Sequence, residues 1–176
     1  ITTNKYEMKR VLQEKNISTA KFEILRTETD LKKLSKFEYP IIVKPVDRSG
    51  SMGVSKVKSD TQLLEAFQKA IEASLSNEVI VEEFITGKEI SVESITQNGK
   101  HYILALTDKK TTGEPHFVEL EHHQPADIKT NLRKEIEDLV LKALDALNIV
   151  NGAAHTELII DKNETIYLNE IGARMG

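Results

Sequence analysis

The stretch KEISVESITQNGKHYILALTDKK, from Lys88 to Lys110, constrains this chain most. Two long runs rich in β-branched and aromatic residues meet at Asn98-Gly99. Both turn residues tolerate the positive φ angles of a two-residue hairpin turn, so the segment reads as two antiparallel strands. Further strands are expected at AKFEIL, YPIIVKP, GVSKVKS, EVIVEEFI, HFVELEHH, GAAHTELIID and TIYLNEI, the last two joined by a turn at Asp161–Glu164. Prolines bracket YPIIVKP and limit its ends.

Helices interrupt these strands. NKYEMKRVLQEKN begins with Asn4, a capping residue, and Glu7 follows three residues later. Met8, Val11 and Leu12 share one face of it. ETDLKKLSKF reads as a short helix. Ser59 and Gln62 form a capping-box pattern for the next helix, with Leu63, Leu64, Phe67, Ile71 and Leu75 on its core face. TNLRKEIEDLVLKALDALN is the clearest helix: Leu132, Ile136, Leu139, Val140, Ala143, Leu144 and Leu147 keep helical spacing throughout. Strand runs with hairpins, alternating irregularly with helices, point to an α+β fold rather than a doubly wound parallel sheet.

The segment IIVKPVDRSGSMGVSKV raises the first functional question. A P-loop places Lys-Ser/Thr after its glycines, at the start of a helix. Here Lys44 precedes the loop, and a strand follows it. A dinucleotide fingerprint also needs a helix at that point. What remains is a loop between two strands in which Gly50 and Gly53 allow several N–H groups to turn toward one anion. Lys44 adds a point charge at its base. Taken alone, the loop fits an ordinary hairpin turn as well.

Acidic residues extend the pattern. Glu82 and Glu83 end an apolar strand, and Glu89 follows Gly87. Such an end offers backbone groups to a base and a carboxylate to a ribose; it is also a common way for a strand to finish. Glu157 and Glu170 lie in the two final strands. If they face each other, they repel unless a cation sits between them, and Mg²⁺ suits carboxylate oxygens, water and phosphates. Opposite facing is equally compatible with strand phase, because a bulge changes it. Arg174 can hold a phosphate or carboxylate oxygen in a forked geometry. His116, His122, His123 and His155 show no zinc spacing, and there is no cysteine to complete one. No Gly-x-Ser-x-Gly nucleophile signature is present.

The net charge of −4, with lysines interleaved among acids, argues against a nucleic-acid partner. No apolar run is long enough to span a bilayer. The lack of cysteine fits a reducing, cytoplasmic setting. The missing initial Met and the abrupt end after NEIGARMG suggest a piece of a longer protein.

In order, NKYEMK, YPIIVKPVDRSGSMGV, VIVEEFITGKEISVE, GAAHTELII and LNEIGARMG resemble the ATP-grasp superfamily across nearly the whole chain. The pattern looks most like the carbamoyl-phosphate-synthetase-like branch, which includes biotin carboxylase and the L-amino-acid ligases; D-alanine–D-alanine ligase is a more distant relative. The resemblance implies two α+β lobes of antiparallel sheets with flanking helices and a nucleotide cleft between them. It implies an N-terminal lobe over residues 1–81, with a mobile loop at 47–53, and a C-terminal lobe over 82–176.

The implied cofactors are ATP and Mg²⁺. Lys5 and Lys44 would contact phosphates, and Ser49, Gly50, Ser51, Met52 and Gly53 would close over them. Glu82, Glu83, Phe84 and Ile85 would hold adenine, Glu89 the ribose, and Glu157 and Glu170 the metal. Lys44 and Arg174 would be catalytic. The implied reaction is ATP-dependent carboxylate–amine ligation through an acyl-phosphate, on a small carboxylate and an amine, with HFVELEHHQPADI lining the acceptor side. The alternatives are a nucleotide-binding module without ligase chemistry and an ATP-grasp enzyme of another pathway, such as purine synthesis, acyl-CoA formation or carboxylation. A homodimer would form through further domains of the parent protein. One departure concerns metal binding. The family often has Asn two residues after the second metal glutamate, where this chain has Gly172. Asn169 is expected on the opposite strand face from Glu170.

Overall fold

A computed structural model of the chain describes residues 2–111 and 119–176. Helix α1 (Lys5–Glu14) starts at Asn4, whose side chain accepts a hydrogen bond from the Glu7 N–H at 3.0 Å. Strand β1 (Phe22–Leu25) follows, then a 3₁₀ helix (Glu28–Lys36) where ETDLKKLSKF was expected to be helical. Next come β2 (Ile41–Pro45), β3 (Ser55–Val57), α2 (Leu63–Ala73) and β4 (Val79–Glu83). The second half holds β5 (Gly87–Gln97), β6 (Lys100–Thr111), β7 (Glu119–His123), α3 (Thr130–Ala146), β8 (Gly152–Asp161) and β9 (Ile166–Gly172).

The strands form two antiparallel sheets. One has the order β1-β4-β2-β3, the other β7-β6-β5-β8-β9. The Asn98-Gly99 hairpin has the expected geometry: Gln97 pairs with Lys100, and Asn98 and Gly99 have φ of 51° and 76°.

Each sheet has its own core. Leu63, Phe67 and Ala70 of α2, with Leu34 and Phe37, pack on Ile41, Val43, Val79 and Val81. On the second sheet, Leu132, Ile136, Val140 and Leu144 of α3 cover Ile90, Val92, Leu158 and Leu168. Met8 and Leu12 of α1 belong to this second core although they open the chain. The Ser18 carbonyl accepts from Leu168 N–H, and Ile171 N–H points at Met8 Sδ. The cores therefore do not follow a division of the sequence at residue 81.

Two local expectations need correction. Ser59 precedes a short 3₁₀ turn (Asp60–Gln62), its side chain makes no cap, and Gln62 Oε1 accepts from Lys58 N–H. Leu64 and Leu75 are exposed, because α2 begins late and ends at Ala73 before Leu75 can return to the core face.

Candidate active site

The two sheets face each other across a cleft of about 1080 Å³. From the first sheet come Ile42, Lys44, Glu82 and Glu83; from the second come Glu89, Lys109, Glu157, Ile159 and Glu170. Lys5 and the loop residues Ser49, Gly50 and Ser51 close one side, and Gly172 and Arg174 another. Phe84 and Ile85, in the connection between the sheets, line it as well. Met52 and Gly53 do not; Met52 is exposed at the loop tip.

The β2–β3 loop is tied down at both ends. Asp47 accepts hydrogen bonds from Leu75 and Ser76 N–H and from the Ser74 hydroxyl. Burial works to raise the Asp47 carboxyl, but these bonds, Ser76 foremost, hold it below its ordinary value. Arg48 Nε donates to the Ala73 carbonyl. At the other end Gly53 has φ of 72° and lies against Ala73 and Pro45, so closely that a Cβ there would come within 2.8 and 2.9 Å of their carbons. Between these anchors the tip carries two more left-handed residues, Gly50 and Ser51.

Lys44, the next-to-last residue of β2, lines the cleft almost fully buried, with Nζ 2.9 Å from Glu82 Oε2. Burial opposes its charge, but Glu82 and Glu170 outweigh that and raise its pKa. Glu82 is held low by Lys44 and Lys9 despite its own burial. Glu82 was expected at the adenine; its two oxygens instead face Lys44 and Lys9. Lys9 is wholly buried and absent from the cleft lining.

Glu157 and Glu170 are directly opposite each other in the β8–β9 pairing. A bulge follows at once: Leu158 pairs with Leu168, which leaves Asn169 as the extra residue. Asn169 consequently lines the cleft beside Glu170, contrary to the expectation from strict alternation. Each carboxylate already meets a lysine. Lys109 Nζ is 2.7 Å from Glu157, and Lys5 Nζ is 3.1 Å from Glu170. Lys5 also donates to the Arg48 carbonyl at the root of the loop. Burial would raise the Glu157 carboxyl, but His155 and Lys109 outweigh it and bring it down to about 2. His155 is raised in turn by its bonds to Glu157 and Glu93.

Two half-buried carboxylates in register, with an amide alongside, are a donor set suited to Mg²⁺, which binds through one or two carboxylates plus water and phosphates. Among the described residues no group of three or more His, Cys, Asp or Glu side chains is placed to hold a metal ion, so the remaining positions would fall to water, Asn169 or a ligand.

A model of the ATP-grasp domain matches residues 37–176. The chain belongs to the ATP-grasp family. It is 29% identical over 150 residues to a D-alanine–D-alanine ligase of Prochlorococcus marinus (strain MIT 9301), covering 81% of this chain and 41% of that protein. The structure of an L-amino acid ligase from Bacillus licheniformis superposes with a TM-score of 0.85 and 34% identity, covering 99% of this chain and 41% of that one. A biotin carboxylase from Campylobacter jejuni, 22% identical, shares the fold with a TM-score of 0.89 over 99% of this chain and 41% of its own. This ATP-grasp chain thus spans about half the length, or somewhat less, of the curated relatives it matches.

Sequence reasoning missed Lys9 and Lys109; His155, two residues before Glu157, shares its face as strand phase suggests. Lys9 had a signal, since it lies four residues from Lys5 on the same helix face. Lys109 had none until the β5–β6 register was known. His122 and His123 are exposed on β7, away from the cleft lining, while His116, Phe117 and Val118 lie outside the described residues. No helix among the described residues is long and apolar enough to cross a membrane.

Proposed function

We propose that this chain is the nucleotide-binding part of an ATP-dependent carboxylate–amine ligase of the cytoplasm. The observation that carries this reading is the convergence, in one cleft, of Lys5, Lys44, the glycine loop and the in-register pair Glu157 and Glu170. Ala20, Ile42, Phe84, Ile85 and Ile159 give one end of the cleft the apolar walls that an adenine ring requires. Backbone groups of Glu83 and Ile85 would read its edge, and Glu89 would take the ribose hydroxyls. Lys5, Lys44 and N–H groups of Ser49–Gly53 would hold the phosphates, with Lys109 released to help once Glu157 has another cation.

In the proposed reaction a substrate carboxylate oxygen attacks the γ-phosphorus and the bond to the bridging oxygen of ADP breaks. An amine then attacks the acyl carbon and inorganic phosphate leaves. Bound Mg²⁺, held by Glu157 and Glu170, would offset phosphate charge as a Lewis acid. Lys44 and Lys5 would offset phosphate charge while it shifts toward the leaving group. Arg174 would hold the acyl-phosphate or the entering acceptor. Closure of the loop tip would exclude water, which otherwise hydrolyses the acyl-phosphate.

Titration calorimetry with Mg-ATP, followed by ADP release across amino acids in the full-length protein, tests the reading. Lys44→Ala should reduce turnover roughly a hundredfold or more. It should leave the fold intact, since Glu82 keeps Lys9 as a partner. Unchanged turnover sinks the assignment. Gly172, in the place of a metal-binding Asn, favours a second reading, a module that binds nucleotide without ligation; binding with no substrate-stimulated ADP release would select it.

A further inference from the structure

Lys9 has no task in the proposed reaction. It has no exposed surface, does not line the cleft, and cannot reach a ligand there. Its neighbours on α1, Met8 and Leu12, are core residues. An apolar side chain of the same volume at such a place is commonly neutral or stabilising relative to a buried ion pair. Fold stability alone therefore gives no reason for a lysine.

The charge pattern does give one. Lys5 is matched by Glu170 and Lys109 by Glu157. Around Lys44 two ammonium groups share one carboxylate: Glu82 Oε2 is 2.9 Å from Lys44 Nζ and Oε1 is 3.4 Å from Lys9 Nζ. The second contact is not a well-aligned hydrogen bond, for Glu82 Oε1 has no hydrogen-bond partner. The Lys9 ammonium gives its bond to Thr19 Oγ1, at 3.1 Å. Lys9 thus meets Glu82 as a charge rather than as a clasp. Without it, Lys44 and Glu82 form a neutral pair, and an incoming phosphate meets a carboxylate directly behind the lysine. Burial lowers the Lys9 ammonium from its ordinary range while Glu82 opposes that shift; with Lys9 protonated, the triad carries one net positive charge, in a buried setting where charge is poorly screened.

We infer that Lys9 balances the charge of Glu82, so that the positive charge of Lys44 stays available to the phosphates of a nucleotide. Lys9 is a positioning residue: it acts through Glu82 and touches no ligand. The inference rests on the reading of the cleft as a nucleotide site. Glu170 and Glu157 also bear on Lys44, but they sit on the other sheet, where a metal or their own lysines neutralise them.

The test is calorimetric titration of wild type, Lys9→Met, Glu82→Gln and Lys9→Met/Glu82→Gln with Mg-ADP, and separately with adenosine. Lys9→Met should weaken Mg-ADP on the order of tenfold or more and leave adenosine unchanged. Adding Glu82→Gln should restore Mg-ADP affinity to within about threefold of wild type, because the carboxylate that Lys9 offsets is gone. Equal weakening of both ligands would mark Lys9 as merely structural, and unchanged Mg-ADP affinity overturns the inference outright. A wild type that binds no Mg-ADP overturns the nucleotide reading itself. If Lys9→Met does not fold, Glu82→Gln and the double variant carry the test. They should bind Mg-ADP alike, since a wholly buried Lys9 without its carboxylate sheds its charge, and a tenfold difference between them refutes the idea.

Discussion

Substituting Gly53 by alanine separates two costs that are usually confounded. Gly53 and Gly50 both have left-handed backbone, with φ of 72° and 63°. An L side chain pays about 1–2 kcal/mol for that conformation at either position. Their surroundings differ. A Cβ at Gly50 meets nothing within 4 Å, whereas one at Gly53 would lie 2.8 Å from Ala73 Cβ and 2.9 Å from Pro45 Cγ. Neither neighbour has a flexible end to swing aside, so overpacking adds about 1–3 kcal/mol. Gly50→Ala should therefore cost about 1–2 kcal/mol and Gly53→Ala about 2–5 kcal/mol. For a chain of this size these are roughly 2–8 °C and 4–20 °C in Tm.

Urea unfolding followed by circular dichroism measures both. Adding Ala73→Gly to Gly53→Ala removes one of the two clashes and should recover part of the larger loss, less up to about 1 kcal/mol for glycine in the helix. Equal losses for Gly50→Ala and Gly53→Ala, or no recovery from Ala73→Gly, would refute the claim that the back of the loop is fixed by contact with α2.

Two other predictions concern the cleft and its rim. Gly172→Asn should fold normally, because a Cβ there meets only the Arg174 side chain, at 3.4 Å and beyond, and stability should stay within about 0.5 kcal/mol. It should lower the Mg²⁺ concentration needed for nucleotide binding in titration calorimetry; an unchanged requirement means that position 172 does not face the metal. Asp47 has its folded pKa depressed below 3.8, so it adds stability that is present above that pH and is lost as pH falls through the folded value. Asp47→Asn should flatten that acid limb of the stability–pH curve, and an unaltered limb would show that the hydrogen bonds to Ser74–Ser76 are not what holds the carboxylate low.

Local chemistry made much of this fold readable. The turn propensity of Asn98-Gly99, the spacing along α3 and the Asn4 cap each depend on residues within one or two turns of chain. The opposition of Glu157 and Glu170 was readable as a possibility, because two strands around a short turn bring such positions together. The place of Asn169 was not: strict alternation sends it away from Glu170, and only the bulge, a property of the pairing between strands, returns it to the cleft. Lys9 shows the same limit. Its spacing from Lys5 marks the helix face it shares, but its charge partner Glu82 lies seventy-three positions away. The roles assigned to the cleft residues rest on the family resemblance more than on any single motif.

The seating of α1 on the second core has a consequence in time. Met8 receives the N–H of Ile171, 163 residues later. At cellular rates of synthesis the ribosome takes roughly 10–30 s to cover that interval. Throughout it, Met8 and Leu12 have no β9 to lie against, whereas the four strands of the first sheet are all available to one another once Glu83 has been made. The helix that precedes both sheets in sequence is seated only once β9 has been made, and only then does Lys5 reach the cleft and Lys9 settle behind Glu82.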